Sequence, residues 1–163
     1  MYSLLAEIHQ FFVISYLMRD YLLIYVNGVR NEISGAEAFQ TLATYLRKRL
    51  HLTGTKIVCA EGDCGACTVL VRRDEQFVAI NSCIATLTQL DCAHLITIEA
   101  LQLIFKESNR PTQLHPIQKA MVDCHASQCG YCTPGFAMAL SAYFEEYPGR
   151  YLSEKAAKNS LTG

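Results

Sequence analysis

The chain has 163 residues, which is room for one ordinary domain or two small ones, and its 14 basic and 15 acidic side chains leave a net charge of −1. Because no stretch is strongly basic, we expect no nucleic-acid partner. Eight cysteines are many for this length, yet too few for a disulfide scaffold, and they cluster at spacings typical of metal ligands. This use of cysteine indicates a reducing compartment, and we expect a cytoplasmic protein.

Residues 1–17 form an apolar N-terminal extension. Glu7, His9 and Gln10 interrupt the run, and no basic residue precedes it. The run is also shorter than the roughly 20 residues of a membrane span. We therefore expect neither a signal peptide nor a membrane contact, and Met18 is a second candidate for the natural start.

Residues 18–105 carry the pattern of a sheet with one helix. Tyr21–Val26 is rich in β-branched and aromatic residues, Asn27-Gly28 is a strong hairpin signal, and Val29–Ile33 is the predicted return strand. Helical spacing then predicts a helix with an apolar stripe at Phe39, Leu42, Leu46 and Leu50. Further strands are predicted at residues 68–71, 77–80 and 95–98. A strand pair, a helix and more strands in this order predict a β-grasp-like plan.

Four cysteines follow the predicted helix, three of them in the run Cys-Ala-Glu-Gly-Asp-Cys-Gly-Ala-Cys. They are Cys59, Cys64, Cys67 and, after fifteen more residues, Cys83. This is the ligand spacing of plant-type [2Fe-2S] ferredoxins, in which three thiolates come from one tight loop. Gly62 and Gly65 can adopt left-handed backbone angles and, with Ala60 and Ala66, let the main chain approach the sulfurs. The sequence therefore predicts an electron carrier with one complete cluster site.

Residues 112–163 follow a polar linker, predicted at residues 106–113, and have a helical pattern. Two apolar stripes predict helices, one at Ile117, Ala120, Met121 and Cys124, the other at Phe136, Leu140, Tyr143, Phe144 and Tyr147. We expect the aromatic stripe to form core. Together the two halves predict an α+β chain, a β-grasp domain followed by an all-α domain.

Cys129 and Cys132 lie between the two predicted helices and form half of a second site. A Cys-x-x-Cys pair also occurs in zinc sites and thiol redox centres, so the pair alone is ambiguous. Thr133 is predicted to cap the next helix and Pro134 suits its first turn. Both sulfurs would then lie near a positive helix end, which favours the thiolate form and would raise the potential of a cluster there.

Three segments, residues 54–69, 114–118 and 127–135, resemble the iron–sulfur part of the xanthine dehydrogenase family of molybdenum hydroxylases. The likeness spans roughly residues 20–163, and the form Glu-Gly-Asp-Cys-Gly-Ala-Cys most resembles bacterial xanthine dehydrogenase small subunits. The resemblance implies a plant-ferredoxin-like β-grasp domain and a helical [2Fe-2S] domain. It also implies electron transfer from a molybdenum–pterin centre, where a purine or similar substrate is hydroxylated, to FAD.

The resemblance also implies roles for individual residues. Cys59, Cys64, Cys67 and Cys83 would bind the cluster nearer FAD, and Cys129 and Cys132 the cluster nearer molybdenum. Gln128 matches a glutamine that contacts molybdopterin. The implied partners are a molybdenum-binding large subunit and an FAD domain.

One departure from the family is visible at the end of the chain. The family supplies the last two ligands of the helical cluster from a Cys-Arg-Cys motif, whereas this sequence ends at Gly163. We therefore expect an incomplete second site and a truncated N-terminal fragment. Cys92 and Cys124 are expected to be buried apolar residues. No catalytic residue is expected in the fragment, and no functional histidine among His51, His94, His115 and His125.

Three alternatives to this reading stay open. One is a free-standing ferredoxin-type carrier, and another is a zinc-stabilised binding module without a redox role. The third is the small iron–sulfur subunit of a different molybdenum hydroxylase, which oxidises an aldehyde, carbon monoxide or an aromatic heterocycle.

Overall fold

The computed structural model describes residues 19–74, 76–104, 114–147 and 153–161. Within these ranges the strands are β1 Leu22–Val26, β2 Val29–Ile33, β3 Thr68–Arg73, β4 Gln76–Asn81 and β5 His94–Ile96. The helices are α1 Leu42–Lys48, α2 Pro116–Asp123, α3 Thr133–Glu146 and α4 Glu154–Asn159, with 3₁₀ segments at Gly35–Phe39, Leu87–Leu90 and Ile98–Ile104. The predicted extension and linker lie outside the described residues. No helix in the described ranges is long and apolar enough to cross a membrane.

The five strands form one mixed sheet in the order β2-β1-β5-β3-β4. β1 and β2 pair antiparallel, and Asn27 and Gly28 between them have φ of 55° and 81°, the left-handed angles that a tight hairpin turn requires. β5 runs parallel to β1 and antiparallel to β3. The predicted hairpin and the α+β fold class are confirmed.

Helix α1 covers one face of the sheet, where Leu42 and Leu46 are fully buried in the main core. The helix begins later than predicted, because Thr41 is its N-cap and accepts a hydrogen bond from the amide of Thr44. Phe39 instead ends the preceding 3₁₀ segment and is 76% exposed. Its assignment to the apolar stripe was therefore wrong.

Helix α3 packs across the other face of the sheet, where Ala137 and Met138 contact Leu70 and Leu101. Its buried residues are Gly135, Ala137, Met138 and Ser141. The predicted aromatic stripe was wrong as the core face, since Phe136 is 43% exposed. Apart from Met138 the residues that face the sheet are small, and they allow the helix axis to approach it closely.

His115 joins helices α2 and α3. Its side chain is fully buried and caps α2, with Nδ1 accepting a hydrogen bond from the amide of Ile117. Its Nε2 lies 3.1 Å from a carboxylate oxygen of Glu145, and the Ser141 hydroxyl lies 3.3 Å from Nδ1. Because these contacts give both ring nitrogens a polar partner, the histidine can be buried. Helix α2 forms where its apolar stripe predicted a helix, and it has no fully buried residue, although the partly buried Met121 of that stripe packs against the core beside α3.

Candidate metal centre

The sheet brings Cys67 and Cys83 together. Cys67 immediately precedes β3 and Cys83 follows β4, and the antiparallel pairing of Thr68 with Asn81 places the two cysteines side by side. Their sulfurs are 3.1 Å apart, and both residues are buried. The distant fourth cysteine of the motif is thus positioned by the register of one strand pair.

The loop that carries Cys59 and Cys64 turns through left-handed residues. Gly62 and Gly65 have φ of 87° and 70°, as predicted, and Ala60 adopts 60° although it has a side chain. The side-chain amide of Asn81 donates a hydrogen bond of 2.5 Å to the carbonyl of Gly62. This bond ties the middle of the loop to the end of β4.

Backbone amides lower the pKa of the Cys59 thiol to about 6. The N–H groups of Cys64 and Glu61 are the main cause, and the Cys64 amide lies 3.5 Å from the Cys59 sulfur. Oriented N–H donors stabilise a thiolate, which is the form that binds metal. The loop therefore favours the metal-binding thiolate form of Cys59.

Burial raises the pKa of the Cys83 thiol to about 12, and the neighbouring Cys67 adds to the effect. A buried thiolate without a nearby cation is unfavourable. A bound metal reverses this preference because its positive charge deprotonates a coordinating thiol. Two buried, adjacent thiols therefore fit a site that binds a cation.

The four sulfurs occur as two pairs. Cys59 and Cys64 share hydrogen bonds, and Cys67 and Cys83 are in sulfur–sulfur contact. Among the described residues, no three Cys, His, Asp or Glu side chains gather closely enough to hold one metal ion. A two-iron cluster takes two protein sulfurs on each iron, whereas a structural zinc takes four around one point. The donor set fits a [2Fe-2S] cluster.

The second cysteine pair lies at the start of α3. Cys129 and Cys132 are both exposed, and Cys132 is the N-cap residue of the helix. The prediction that Thr133 is the cap was wrong, because Thr133 is already helical and its hydroxyl lies 2.9 Å from that of Ser127. Pro134 lies in the first turn, as predicted. Both sulfurs are therefore near the positive end of a 14-residue helix.

Three other residues singled out in the sequence are also exposed. Gln128 precedes the second pair and is exposed. Cys92 and Cys124 are exposed as well, so the prediction of buried thiols was wrong for both. Cys92 turns the chain with φ of 61° and accepts a hydrogen bond from Arg19 at 3.0 Å, and Cys124 ends α2. Sites where the chain turns are at the surface, which apolar character alone does not reveal.

The two cysteine sites are neighbours. Cys64 and Cys132 line the same cavity of about 230 Å³, together with Gly65 and Gly135. Tyr131, between the cysteines of the second pair, has its ring 5.8 Å from the ammonium group of Lys56 in the first half of the chain. The second site is therefore built against the loop of the first.

Two families match this chain. The family described as "2Fe-2S iron-sulfur cluster binding domain" matches residues 24–88, and the family described as "[2Fe-2S] binding domain" matches residues 97–163. The chain contains two [2Fe-2S]-binding domains. The first match includes Cys59, Cys64, Cys67 and Cys83, and the second includes Cys129 and Cys132.

Similar proteins place the chain among the iron–sulfur regions of molybdenum hydroxylases. It is 42% identical to xanthine dehydrogenase of Oryza sativa over 86% of this chain and 10% of the relative. It is 46% identical to xanthine dehydrogenase 1 of Arabidopsis thaliana over 72% and 9%, and 36% identical to aldehyde oxidase 4 of Cavia porcellus over 79% and 10%. The predicted resemblance to the xanthine dehydrogenase family is confirmed. A specific likeness to the bacterial small subunits stays a prediction.

Solved structures agree with this placement. The aldehyde oxidoreductase of Desulfovibrio desulfuricans superposes with a TM-score of 0.70 at 29% identity, over 88% of this chain and 14% of that one. Quinoline 2-oxidoreductase of Pseudomonas putida superposes with a TM-score of 0.59 at 25% identity, over 87% and 90%. The chain thus spans about a tenth of the curated relatives, and most of one separate chain in the quinoline enzyme.

Proposed function

We propose that this chain passes electrons through [2Fe-2S] clusters, from a molybdenum–pterin centre towards FAD, as the iron–sulfur part of a cytoplasmic xanthine dehydrogenase-like oxidoreductase. The observation that carries the proposal is the grouping of four sulfurs into two pairs beside a second cysteine pair. The substrate-oxidising centre and the flavin belong to the rest of that enzyme. This chain contributes the relay and no catalytic residue.

In this proposal Cys59, Cys64, Cys67 and Cys83 hold the first cluster. When bound, a [2Fe-2S] cluster accepts and passes on one electron at a time. The amides of Cys64 and Glu61 point at the Cys59 sulfur and would stabilise the negative charge that arrives with the electron. Asn81 holds the loop in this conformation through the Gly62 carbonyl.

Cys129 and Cys132 supply two of the four thiolates of a second cluster, on the molybdenum side. The start of α3 places a positive helix end near both sulfurs and would favour the reduced state there. Gln128 is exposed next to this pair, as a contact with molybdopterin requires. The remaining two thiolates, the molybdenum subunit and the FAD domain come from other parts of the enzyme.

Metal content and spectroscopy of the purified chain test the first cluster. The chain is purified without air, or refolded with iron and sulfide, and its iron, sulfide and zinc are measured together with visible absorption and the electron paramagnetic resonance signal after reduction. We expect about two irons and two sulfides per chain, because four suitable thiolates are present. The double variant Cys129→Ser, Cys132→Ser is the matched control and should keep them.

Two results would contradict the proposal. A colourless chain that holds one zinc would favour the zinc-stabilised binding module. A cluster that never exchanges electrons with a molybdenum subunit, in a protein that purifies alone, would favour a free-standing ferredoxin-type carrier.

A second candidate is the small iron–sulfur subunit of another molybdenum hydroxylase. It is supported by the match to quinoline 2-oxidoreductase, of which this chain covers 90% of a separate chain. The two candidates differ in the length of the native polypeptide. Immunoblotting of the native protein separates them, since a subunit would run as a short chain with a large partner and a dehydrogenase as a much longer chain.

A further inference from the structure

Gly135, in the first turn of α3, touches the backbone of the first-site loop. A Cβ placed on it would lie 2.2 Å from the carbonyl oxygen of Gly65 and 2.9 Å from the Cα of Ala66. Side-chain carbons essentially never approach other atoms within 3.0 Å. Position 135 therefore has no room for any side chain. Its backbone is helical, so contact rather than conformation requires the glycine.

The loop cannot easily yield at this contact. The carbonyl of Gly65 accepts hydrogen bonds from the amide of Thr68 at 3.1 Å and from its hydroxyl at 2.6 Å. Thr68 is the first residue of β3, so the carbonyl is fixed to the sheet. On the helix side, the buried Ala137 and Met138 hold α3 against the same strand.

This contact joins the two cysteine sites by a short stretch of chain on either side. Gly65 directly follows Cys64, and Gly135 is three residues after Cys132. Cys64 and Cys132 also line one cavity with both glycines. A change in the distance between Gly65 and Gly135 would therefore change the distance between the two sites.

We propose that Gly135 is a positioning residue that sets the separation between the two iron–sulfur sites. The inference rests on the proposed function, since the separation matters only in a relay. Electron transfer between two centres weakens steeply as the gap between them widens. A methyl group at position 135 would widen that gap without adding charge or removing a ligand.

The variant Gly135→Ala tests the proposal in the full chain with a reconstituted first cluster. A nitroxide label is attached to Cys132, in a background where the other exposed thiols outside the first site, Cys92, Cys124 and Cys129, are changed to serine, while Cys64 is protected as a ligand of the reconstituted cluster. Relaxation of the label by the reduced cluster reports the distance between them. We expect the distance to grow by on the order of the 0.8 Å by which the separation of the new Cβ from the Gly65 oxygen must open, from 2.2 Å to the 3.0 Å limit.

A matched control and a second readout accompany the distance. Ala139→Gly changes a residue of the same helix that lines the same cavity, and it should leave the distance unchanged because it removes a methyl group. Alanine ordinarily stabilises a helix relative to glycine. Helix propensity alone would therefore raise the urea midpoint of Gly135→Ala. A lower midpoint than that of the parent supports the close contact.

Three other outcomes of this experiment are decisive. An intact cluster with an unchanged distance in Gly135→Ala overturns the inference. A parent chain that binds no cluster overturns the proposed function instead, and the urea comparison then still decides whether the contact exists. If Gly135→Ala does not fold, hydrogen exchange in the parent decides. Ala66, whose Cα faces Gly135, is 3% exposed, so its amide is expected to exchange slowly, and rapid exchange there overturns the inference.

Discussion

The two cysteine sites of this chain are built in opposite ways. The first is supported by the sheet: Cys67 and Cys83 are buried next to paired strands, and the loop between Cys59 and Cys67 is held by hydrogen bonds from outside it. The second consists of two exposed sulfurs at the start of a helix. The first site has four cysteines held by the fold. The second has two cysteines, which lie near the positive end of a helix.

The difference teaches what each site needs from the rest of the protein. A site whose four cysteines are held as two pairs by the folded sheet and its loop needs only iron and sulfide, because its ligands are ordered when the sheet folds. A site with two exposed thiolates needs partners to supply both ligands and burial. We expect the first site to assemble independently and the second to require further ligands.

The largest effect is expected from removing a ligand of the first site. Cys83→Ser should abolish the visible absorption of the cluster and reduce bound iron to background, because the remaining sulfurs cannot complete the coordination of two irons. Absorption and iron analysis of the reconstituted chain measure this loss. Cys132→Ser should leave both quantities unchanged, and so should Cys92→Ser, at an exposed thiol outside both sites.

Two results would contradict the assignment of the complete cluster to the first site. If Cys132→Ser removed the cluster and Cys83→Ser retained it, the assignment of the complete site to the sheet would be wrong. Equal losses in both variants would mean that a single cluster bridges the two motifs.

The next effect concerns the hydrogen bonds that hold the first site. The Ser82 hydroxyl is fully buried and donates to the carbonyl of Cys67 at 2.6 Å. Ser82→Ala should lower the free energy of unfolding by about 1–3 kcal/mol, since a buried hydrogen bond is lost. Urea unfolding monitored by circular dichroism measures the change.

Ser127→Ala is the matched control for the second site. Ser127 is exposed, although its hydroxyl contacts Thr133, and the expected loss is below about 0.5 kcal/mol. If Ser127→Ala lowered the free energy of unfolding as much as Ser82→Ala, the contrast between a buried first site and an exposed second site would be contradicted.

Features of the fold and the sites could be predicted from sequence where they depend on residues that are close together in the chain. Ligand spacing is a one-dimensional property, so Cys59, Cys64, Cys67 and Cys83 could be grouped without a structure, and the Asn-Gly turn was equally legible. The first turn of α3 could be anticipated from Pro134.

Other features depend on neighbours that are distant in sequence. The need for glycine at position 135 arises from the carbonyl of Gly65, seventy residues away, and no periodicity encodes such a contact. His115 is buried because Glu145 and Ser141 on another helix satisfy its ring nitrogens. Cys92 and Cys124 were misjudged because burial was inferred from residue type, whereas the local turn of the chain exposes both.

A smaller effect is expected from pH, through the helical half. Burial lowers the pKa of His115 below its ordinary value of 6.5, so the folded chain holds this ring neutral. In the unfolded chain the ring takes up a proton as the pH falls through 6.5, and stability is therefore present above that pH and lost below it. Urea unfolding at pH 7.5 and 5.5 should differ by up to about 1.4 kcal/mol from this residue.

His115→Asn is the control for the pH effect. Asparagine is also a good N-cap residue but does not titrate in this range, so the variant should be less stable overall and lose the part of the pH dependence that comes from this position. An identical pH profile in the parent and in His115→Asn would show that the ring is not the titrating group. The first cluster should keep its spectrum in both proteins.

The smallest effect is expected where the two sites meet. The ammonium group of Lys56, three residues before Cys59, lies 5.8 Å from the centre of the Tyr131 ring between the second pair of cysteines. An exposed cation–π contact of this kind contributes about 0.5–1 kcal/mol. Lys56 also donates to the carbonyl of Thr53, so a single substitution would mix two interactions. A double-mutant cycle with Lys56→Met and Tyr131→Leu, followed by urea unfolding, isolates the coupling between them. A coupling within this range would mean that the Lys56–Tyr131 contact helps to hold the second site against the first, whereas strictly additive losses would mean that this contact contributes nothing beyond the packing of the helix on the sheet.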